Sequence, residues 1–221
     1  MTTLKAGPRV QDISVYEQLG TAGSIELAAL EAFYEKGYHG ASIRDIAGRA
    51  GIGLATLFHH FASKSAILDR VMNRAVDQLN DELQSQLRDV ESPPERLRTA
   101  MRILVMAHCE RQMQSFVAQS EFRSLGPQQK EIVRRKRVHV HGIFLDAVNS
   151  GVATGEFECD QPSETAQAIV SMGTMVASWF RTGGPRMPAQ VAATYADLAL
   201  RMLAPAATQE RREMLVSRCE T

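Results

Sequence analysis

Apolar positions recur at helical spacing along most of the chain, and the rhythm breaks most sharply between residues 42 and 61. There Ile43, Ile46, Ala47 and Ala50 sit at i, i+3, i+4 and i+7, the signature of one apolar helical face. Two glycines follow, and then Leu54, Leu57, Phe58 and Phe61 repeat the same spacing. Ser42 and Asp45 make a Ser-x-x-Asp capping box that starts the first of these helices. Gly51 and Gly53 bracket the corner, where a residue after a helix often needs positive φ. Two short helices joined by a tight turn predict a helix-turn-helix. Neither is long enough to be stable alone, so both must pack on a neighbour.

That neighbour is a first helix over residues 24–36. Ile25, Ala28, Ala29, Ala32 and Phe33 point inward, Glu26, Glu31 and Glu35 outward, and Gly37 ends it. After the helix-turn-helix, Ser63 caps a long fourth helix whose stripe is Leu68, Met72, Ala75, Leu79, Leu83 and Leu87. Ser92-Pro93-Pro94 stops it, since proline cannot continue a helix. A fifth helix carries the stripe Leu97, Met101, Leu104 and His108. A short sixth spans residues 114–124, and a seventh runs from Pro127 to about residue 150, closed by Gly151. Residues 151–162 form a loop. An eighth helix runs from Pro162 through Arg181, a ninth from Pro188 through Leu203, and the Glu- and Arg-rich end is a candidate tenth. No strand alternation persists, so the fold class is all-α.

The positions left outside the helix-turn-helix are small or hydrogen-bonding. Arg44, Gly48 and Arg49 face outward on its first helix, and Ala55, Thr56, His59 and His60 on its second. Such a surface suits insertion into a DNA major groove, where bulk would clash. A helical corner inside any all-α protein is the alternative.

The run over residues 25–68 resembles the N-terminal domain of the TetR family of bacterial transcriptional regulators. The matching residues are Ala29 and Phe33, then Lys36-Gly37-Tyr38, the run from Ser42 to Ala47, Ala50-Gly51-Ile52, the run from Thr56 to Phe61, and Ser63-Lys64. The resemblance implies an N-terminal three-helix helix-turn-helix domain followed by a larger helical ligand-binding and dimerisation domain. It places Ser42 on a phosphate as well as at the cap, Arg44 at the groove edge, Thr56 on the base or backbone side of the recognition helix, and His59 and Lys64 on phosphates. The chain departs from the family pattern at Gly53, Leu54 and Phe58, where Ser, Lys and Tyr are usual. A capping hydroxyl, a cation and a phenol are thereby lost.

Composition changes the picture only locally. The 221 residues carry no formal net charge, which by itself argues against nucleic acid. Between residues 36 and 74, however, Lys36, Arg44, Arg49, Lys64, Arg70 and Arg74 stand against only Asp45 and Asp69. The positive field belongs to the region that needs it. No apolar run is long enough for a membrane span, and the first residues lack the apolar stretch of a secretory signal. Cys109, Cys159 and Cys219 are odd in number and widely spaced, which reads as free thiols in a cytoplasmic protein. Burial or neutrality ranks above redox sensing for them. The expected division is a flexible arm over residues 1–20, with Lys5 and Arg9 able to reach a minor groove, a DNA-binding domain over 21–68, and an effector-binding and dimerisation domain over 69–221.

In the C-terminal part, the eighth predicted helix is apolar on more than one face, and the ninth carries the stripe Val191, Tyr195, Leu198 and Met202. The family resemblance makes these two helices the seam of a homodimer. Arg137 interrupts the stripe formed by Val133, Val140 and Phe144. It must snorkel to water, pair with an acid such as Glu121, or meet an anionic ligand. The run Arg134-Arg135-Lys136-Arg137 is otherwise a solvated helix surface more often than a nucleic-acid patch. The candidate effector contacts are Met101, His108, Phe122, Arg137, Phe144, Met175 and Trp179, with plain core or interface as the alternative for the methionines and the tryptophan. Residues 121–125, the loop over 151–157 and residues 178–181 are similar to a TetR subgroup of lipid and steroid catabolism regulators that respond to acyl-coenzyme A thioesters. No Cys/His set has zinc spacing, and no nucleophile motif or Gly-rich phosphate loop occurs. The expectation is therefore a DNA-binding regulator with a small apolar or acyl-coenzyme A-like effector, no metal, no cofactor and no catalysis. A DNA-bound factor that contacts another protein instead of a small molecule is the rival.

Overall fold

The computed structural model describes residues 16–203, and the regular structure among them is helical throughout. Helix α1 (Gly20–Gly40) begins earlier than residue 24 and keeps a last turn beyond Gly37. Gly37 stands at φ 70, a left-handed conformation that only glycine adopts without strain, and it kinks the helix before α2 (Ile43–Arg49). Tyr16 is buried against this bundle, so the expected arm ends before residue 16; Lys5 and Arg9 lie outside the described residues.

The capping box forms at α2, where Ser42 Oγ accepts the Asp45 N–H at 3.1 Å. At the far end Gly51 takes φ 68, and the Ile52 N–H donates to the Ala47 carbonyl while the Gly51 N–H donates to that of Gly48. This is a Schellman closure, and it aims the chain into α3 (Leu54–His60). Gly53, by contrast, is ordinary extended backbone at φ −75. Ser63 then caps α4 (Lys64–Gln86) by accepting the Ala66 N–H at 3.1 Å.

The rest is a helical bundle. Helices α5 (Pro93–Glu110) and α6 (Gln112–Ser120) are followed by a 3-10 turn at Glu121–Ser124. Helix α7 (Pro127–Ala153) runs past its expected end at Gly151. Gly151 is needed for a different reason: the Phe157 ring occupies the place where a Cβ would stand. The expected single eighth helix is broken into α8 (Pro162–Thr174) and α9 (Val176–Trp179). At the break Gln119 Nε2 donates to the Thr174 carbonyl at 3.0 Å, and toward the end of α9 Gln112 Nε2 donates to the carbonyls of Ala177 and Phe180. Side chains of α6 thus take over carbonyls that a continuous helix would satisfy itself. Helix α10 (Pro188–Arg201) packs chiefly along α5 through Val191, Ala192, Ala196 and Ala199.

Two apolar cores result. One unites Phe33, Ile46, Leu57, Phe61 and Leu68 with Met113 and Val117 of α6 and Val133 of α7. The other joins the lower part of α4 to α5, α7, α8 and α10. The first core does not stop at the expected boundary near residue 68. It crosses into α6, so the helix-turn-helix head is seated directly on the helix that borders the second core.

One expected orientation is corrected here. Glu26 does not face solvent: it is 2% exposed and forms a two-pronged ion pair with Arg74, at 2.7 Å to Nε and 3.1 Å to Nη2. An isolated carboxylate at that depth would be untenable, and the hydrogen bonds that Arg74 donates to Glu26 hold the Arg74 pKa above its usual value.

Candidate nucleic-acid interface and effector cavity

The helix-turn-helix presents its outer residues as expected in part. Ser42, Arg44, Thr56 and His59 are exposed, and the His59 and His60 rings meet edge to face. The surrounding cations are far less available than their number suggests. Lys36 donates to Asp45 at 2.7 Å. Arg49 pairs with Glu35 at 2.5 Å and with Asp45 at 3.3 Å. Lys36, followed by Arg49, holds the Asp45 carboxyl below its ordinary pKa, and Arg49 does the same for Glu35. Arg74 belongs to Glu26. Only Arg44 and Arg70 of the six counted basic residues stand exposed without an ion pair among the described residues.

Lys64 also differs from the sequence reading. Its Nζ donates to the carbonyls of Tyr38 and Ala41 at 2.6 and 2.7 Å and lies 4.4 Å over the Tyr38 ring. It stitches the start of α4 to the corner between α1 and α2. Of its three N–H groups, one is left for any outside anion.

The recognition helix departs most. Leu57 and Phe61 are buried as their spacing predicts, but Leu54 and Phe58 are 39% and 51% exposed. A seven-residue helix on a small head can bury only one narrow stripe, and the position of α2 leaves these two outside it. Gly53 offers no side-chain cap.

In the second half, a cavity of about 480 Å³ lies between α4, α5, α6, α7 and α8. Its wall is mostly apolar, with Ala75, Val76 and Leu79 from α4, Leu104 from α5, Val140 from α7 and Val170 from α8. Exposed Val138 and Met175 stand at its rim. Of the expected effector contacts, His108, Arg137 and Met175 line it. The other four do not. Met101 is fully buried and packs against Gly173, and Phe144 is fully buried core. Phe122 lies beneath the Arg137 guanidinium at 4.6 Å. Trp179 stacks on Tyr195 at the surface, with centroids 6.1 Å apart. The wall that sequence reasoning missed is α6, which contributes Gln114, Ser115, Ala118 and Gln119.

The polar groups of this cavity are arranged around Arg137. Its Nη2 donates to the Ala118 carbonyl at 2.6 Å, and no carboxylate among the described residues forms an ion pair with it. Glu121 accepts from Ser124 instead. Pairing with an acid therefore does not account for it; the side chain is partly exposed at the cavity wall, and desolvation lowers its pKa. Beside it His108 is buried, with Nδ1 2.7 Å from the Leu104 carbonyl. A carbonyl only accepts, so Nδ1 carries the proton and Nε2 is an acceptor. Burial pulls the His108 pKa down to about 4, with Arg111 and Arg137 pushing the same way, so the ring is neutral at physiological pH. The His141 Nε2, also on the lining, is buried without a hydrogen-bond partner among the described residues. Arg111, by contrast, is held two-pronged by Glu82 of α4.

The remaining features do not form a site. Burial raises the Cys109 thiol to about 12, which makes it a poor nucleophile; Cys219 lies outside the described residues, as does the candidate tenth helix. No helix of the described residues is long and apolar enough to cross a membrane.

Comparison with known proteins matches both halves of the chain. The family model of bacterial regulatory proteins of the tetR family matches residues 26–71, and that of the tetracyclin repressor-like C-terminal domain matches residues 90–203. The HTH-type transcriptional repressor KstR2 of Mycobacterium tuberculosis is 29% identical over 178 residues, covering 80% of this chain and 88% of that protein. The structure of KstR2, a ketosteroid transcriptional regulator, aligns with a TM-score of 0.77 over 83% of this chain and 94% of its own, at 26% identity. PfmR of Thermus thermophilus aligns at 30% identity and a TM-score of 0.75, covering 80% and 97%. AibR, solved in complex with isovaleryl coenzyme A and operator DNA, shares the fold at a TM-score of 0.74 and 21% identity, covering 80% and 97%.

Proposed function

The chain belongs to the TetR family of bacterial transcriptional regulators, and from that premise we propose a homodimeric repressor released from its operator by an acyl thioester or a similar apolar ligand with a carbonyl head. The family is one of DNA-binding regulators, not enzymes. The observation that carries the effector reading is Arg137. A half-buried guanidinium with no acid partner among the described residues, on the wall of an apolar cavity, is a donor waiting for an acceptor. A ligand carbonyl or carboxylate would take its free N–H groups, and the apolar wall would take the chain. His108 Nε2 adds an acceptor for a ligand hydroxyl or amide. The carrier part of a thioester is too large for the cavity and would leave past the rim, beside Arg134, which pairs with Glu131 at 2.8 Å. AibR, with its isovaleryl coenzyme A, supports that class of ligand for this fold.

The DNA contacts proposed are Ser42, Arg44, Thr56, His59 and the remaining N–H of Lys64. The proposed dimer seam is formed by α8, α9 and α10, where Met175, Trp179, Leu198 and Met202 are large, apolar and exposed. A two-fold seam implies a near-palindromic operator with half-sites about one helical turn (~34–36 Å) or slightly more apart.

Ligand and DNA would communicate through two elements. Helix α4 lines the cavity with Ala75, Val76 and Leu79 and follows directly on α3. Helix α6 lines it with Gln114, Ser115 and Ala118 while Met113 and Val117 seat it in the head's core and Phe116 meets Tyr34 of α1 edge to face. A ligand that displaces either helix tilts the head. A preference of ~1–3 kcal/mol for the non-binding arrangement suffices.

Mass spectrometry of ligands retained by the purified protein tests the reading. The expected result is an acyl thioester or apolar carboxylic acid, lost in Arg137→Met. Retention of nothing, together with no change in Tm across a panel of acyl-coenzyme A thioesters and their free acids, would favour a factor whose apolar face meets another protein.

A further inference from the structure

Helix α3 has a composition that DNA binding in general does not require. It contains no lysine or arginine, and its N-cap supplies no side-chain hydrogen bond. Two of its seven residues are large apolar side chains standing in water, Leu54 and Phe58. They are four positions apart, so they share one side of the helix. The exposed Ala55 and Thr56 lie beside them, and Thr56 is one of the DNA contacts proposed above. Exposed apolar groups of this size are unfavourable in water and mark a contact surface when they cluster.

The neighbouring cations sharpen the point. Lys36 and Arg49 are paired with acids, and Lys64 donates to two carbonyls. The grip on phosphates around α3 is correspondingly thin, and phosphate contacts carry no sequence information in any case. The apolar group that a major groove offers on its base edges is the thymine 5-methyl.

We infer that Leu54 and Phe58 are specificity-determining residues that read thymine 5-methyl groups beneath α3. Four residues of helix rise about 6 Å, close to two base-pair steps of ~3.4 Å. Each half-site therefore carries two thymines about two steps apart, on either strand. This inference rests on the DNA-binding function above and adds the sequence element that function reads.

The test selects duplexes from a randomised library with the full-length protein, then resynthesises the selected duplex with deoxyuridine for thymidine at the positions under α3. That exchange removes a methyl group and nothing else. Each lost methyl is expected to weaken binding about threefold to fivefold. Leu54→Ala and Phe58→Ala should each lose sensitivity to one of the two exchanges while keeping the parent Tm, since both side chains are exposed. Selected sites without thymine at these positions would overturn the inference. So would equal affinity for the uridine duplex, or sensitivity that persists in both variants, as expected if the two side chains serve a protein contact instead. Failure to select any duplex would be a different result, overturning the DNA-binding reading and the inference with it.

Discussion

The head and the cavity treat their charged groups in opposite ways. In the head, several charged groups are answered from within, Glu26 by Arg74, Asp45 by Lys36 and Arg49, the corner carbonyls by Lys64, with the buried Asp69 Oδ1 as an exception. In the cavity, Arg137 has one carbonyl and an aromatic face, His108 keeps an open acceptor, and the His141 Nε2 has no partner among the described residues. Ion pairs inside a small head hold its short helices in one geometry, which a groove reader needs. Polar groups left open in an apolar wall are costly to the free protein, and on the proposed reading a ligand would answer them. The difference would then separate a part that stays rigid from a part that responds.

The largest effect is expected from breaking the head's internal pairing. Glu26→Ala leaves Arg74 charged and half-buried without its acid, which should cost about 3–5 kcal/mol in urea denaturation. A loss below about 1 kcal/mol would mean that the pair does not organise the head.

The cavity should show itself through pH. The His108 pKa falls from 6.5 in an open chain to about 4 in the fold, so the unfolded state binds the extra proton. Its contribution to stability is full above about pH 6.5 and is lost as pH falls toward 4, amounting to about 2 kcal/mol by pH 5. His108→Gln should remove that part of the acid slope. An unchanged slope would place the imidazole in water.

Arg137→Met sharpens the contrast because its two readouts should diverge. Effector affinity should fall about tenfold or more, while stability stays within about 1 kcal/mol, since a half-buried cation with no acid partner contributes little to the fold. The same pair of readouts for Glu26→Ala should be reversed.

The smallest effect separates two cations of the head. Arg44→Ala should flatten the salt dependence of operator binding by about one unit. Lys64→Ala should flatten it less and cost about 1–2 kcal/mol of stability, because two carbonyls lose their donor. Equal slopes for both would return Lys64 to full phosphate contact.

Much of this was legible in the residues. Local signals carried the helix-turn-helix: the Ser42–Asp45 cap, the Gly51 turn and the stripe through Ile46 and Leu57 are settled within a few positions. Arg137 was legible as an anomaly because a charge broke an apolar stripe. What stayed hidden depends on distant partners. Glu26 reads as exposed until Arg74, 48 residues away, is known to reach it. At the break in the eighth helix the Thr174 carbonyl is taken by Gln119, a residue of another helix. Leu54 and Phe58 fit an inward stripe by period alone, since spacing cannot say which side of a short helix finds a partner. Met101 and Phe144 were credible pocket walls for the same reason, yet they pack the core while α6 lines the cavity.

The most direct test of the account is calorimetric titration of the acyl thioester that most raises Tm, into the free protein and into its complex with a selected operator duplex. Linkage makes the coupling reciprocal, so operator should weaken thioester binding about tenfold. Equal affinity in the two titrations would contradict the account, for the cavity would then be a binding site with no hold on the DNA-reading helices.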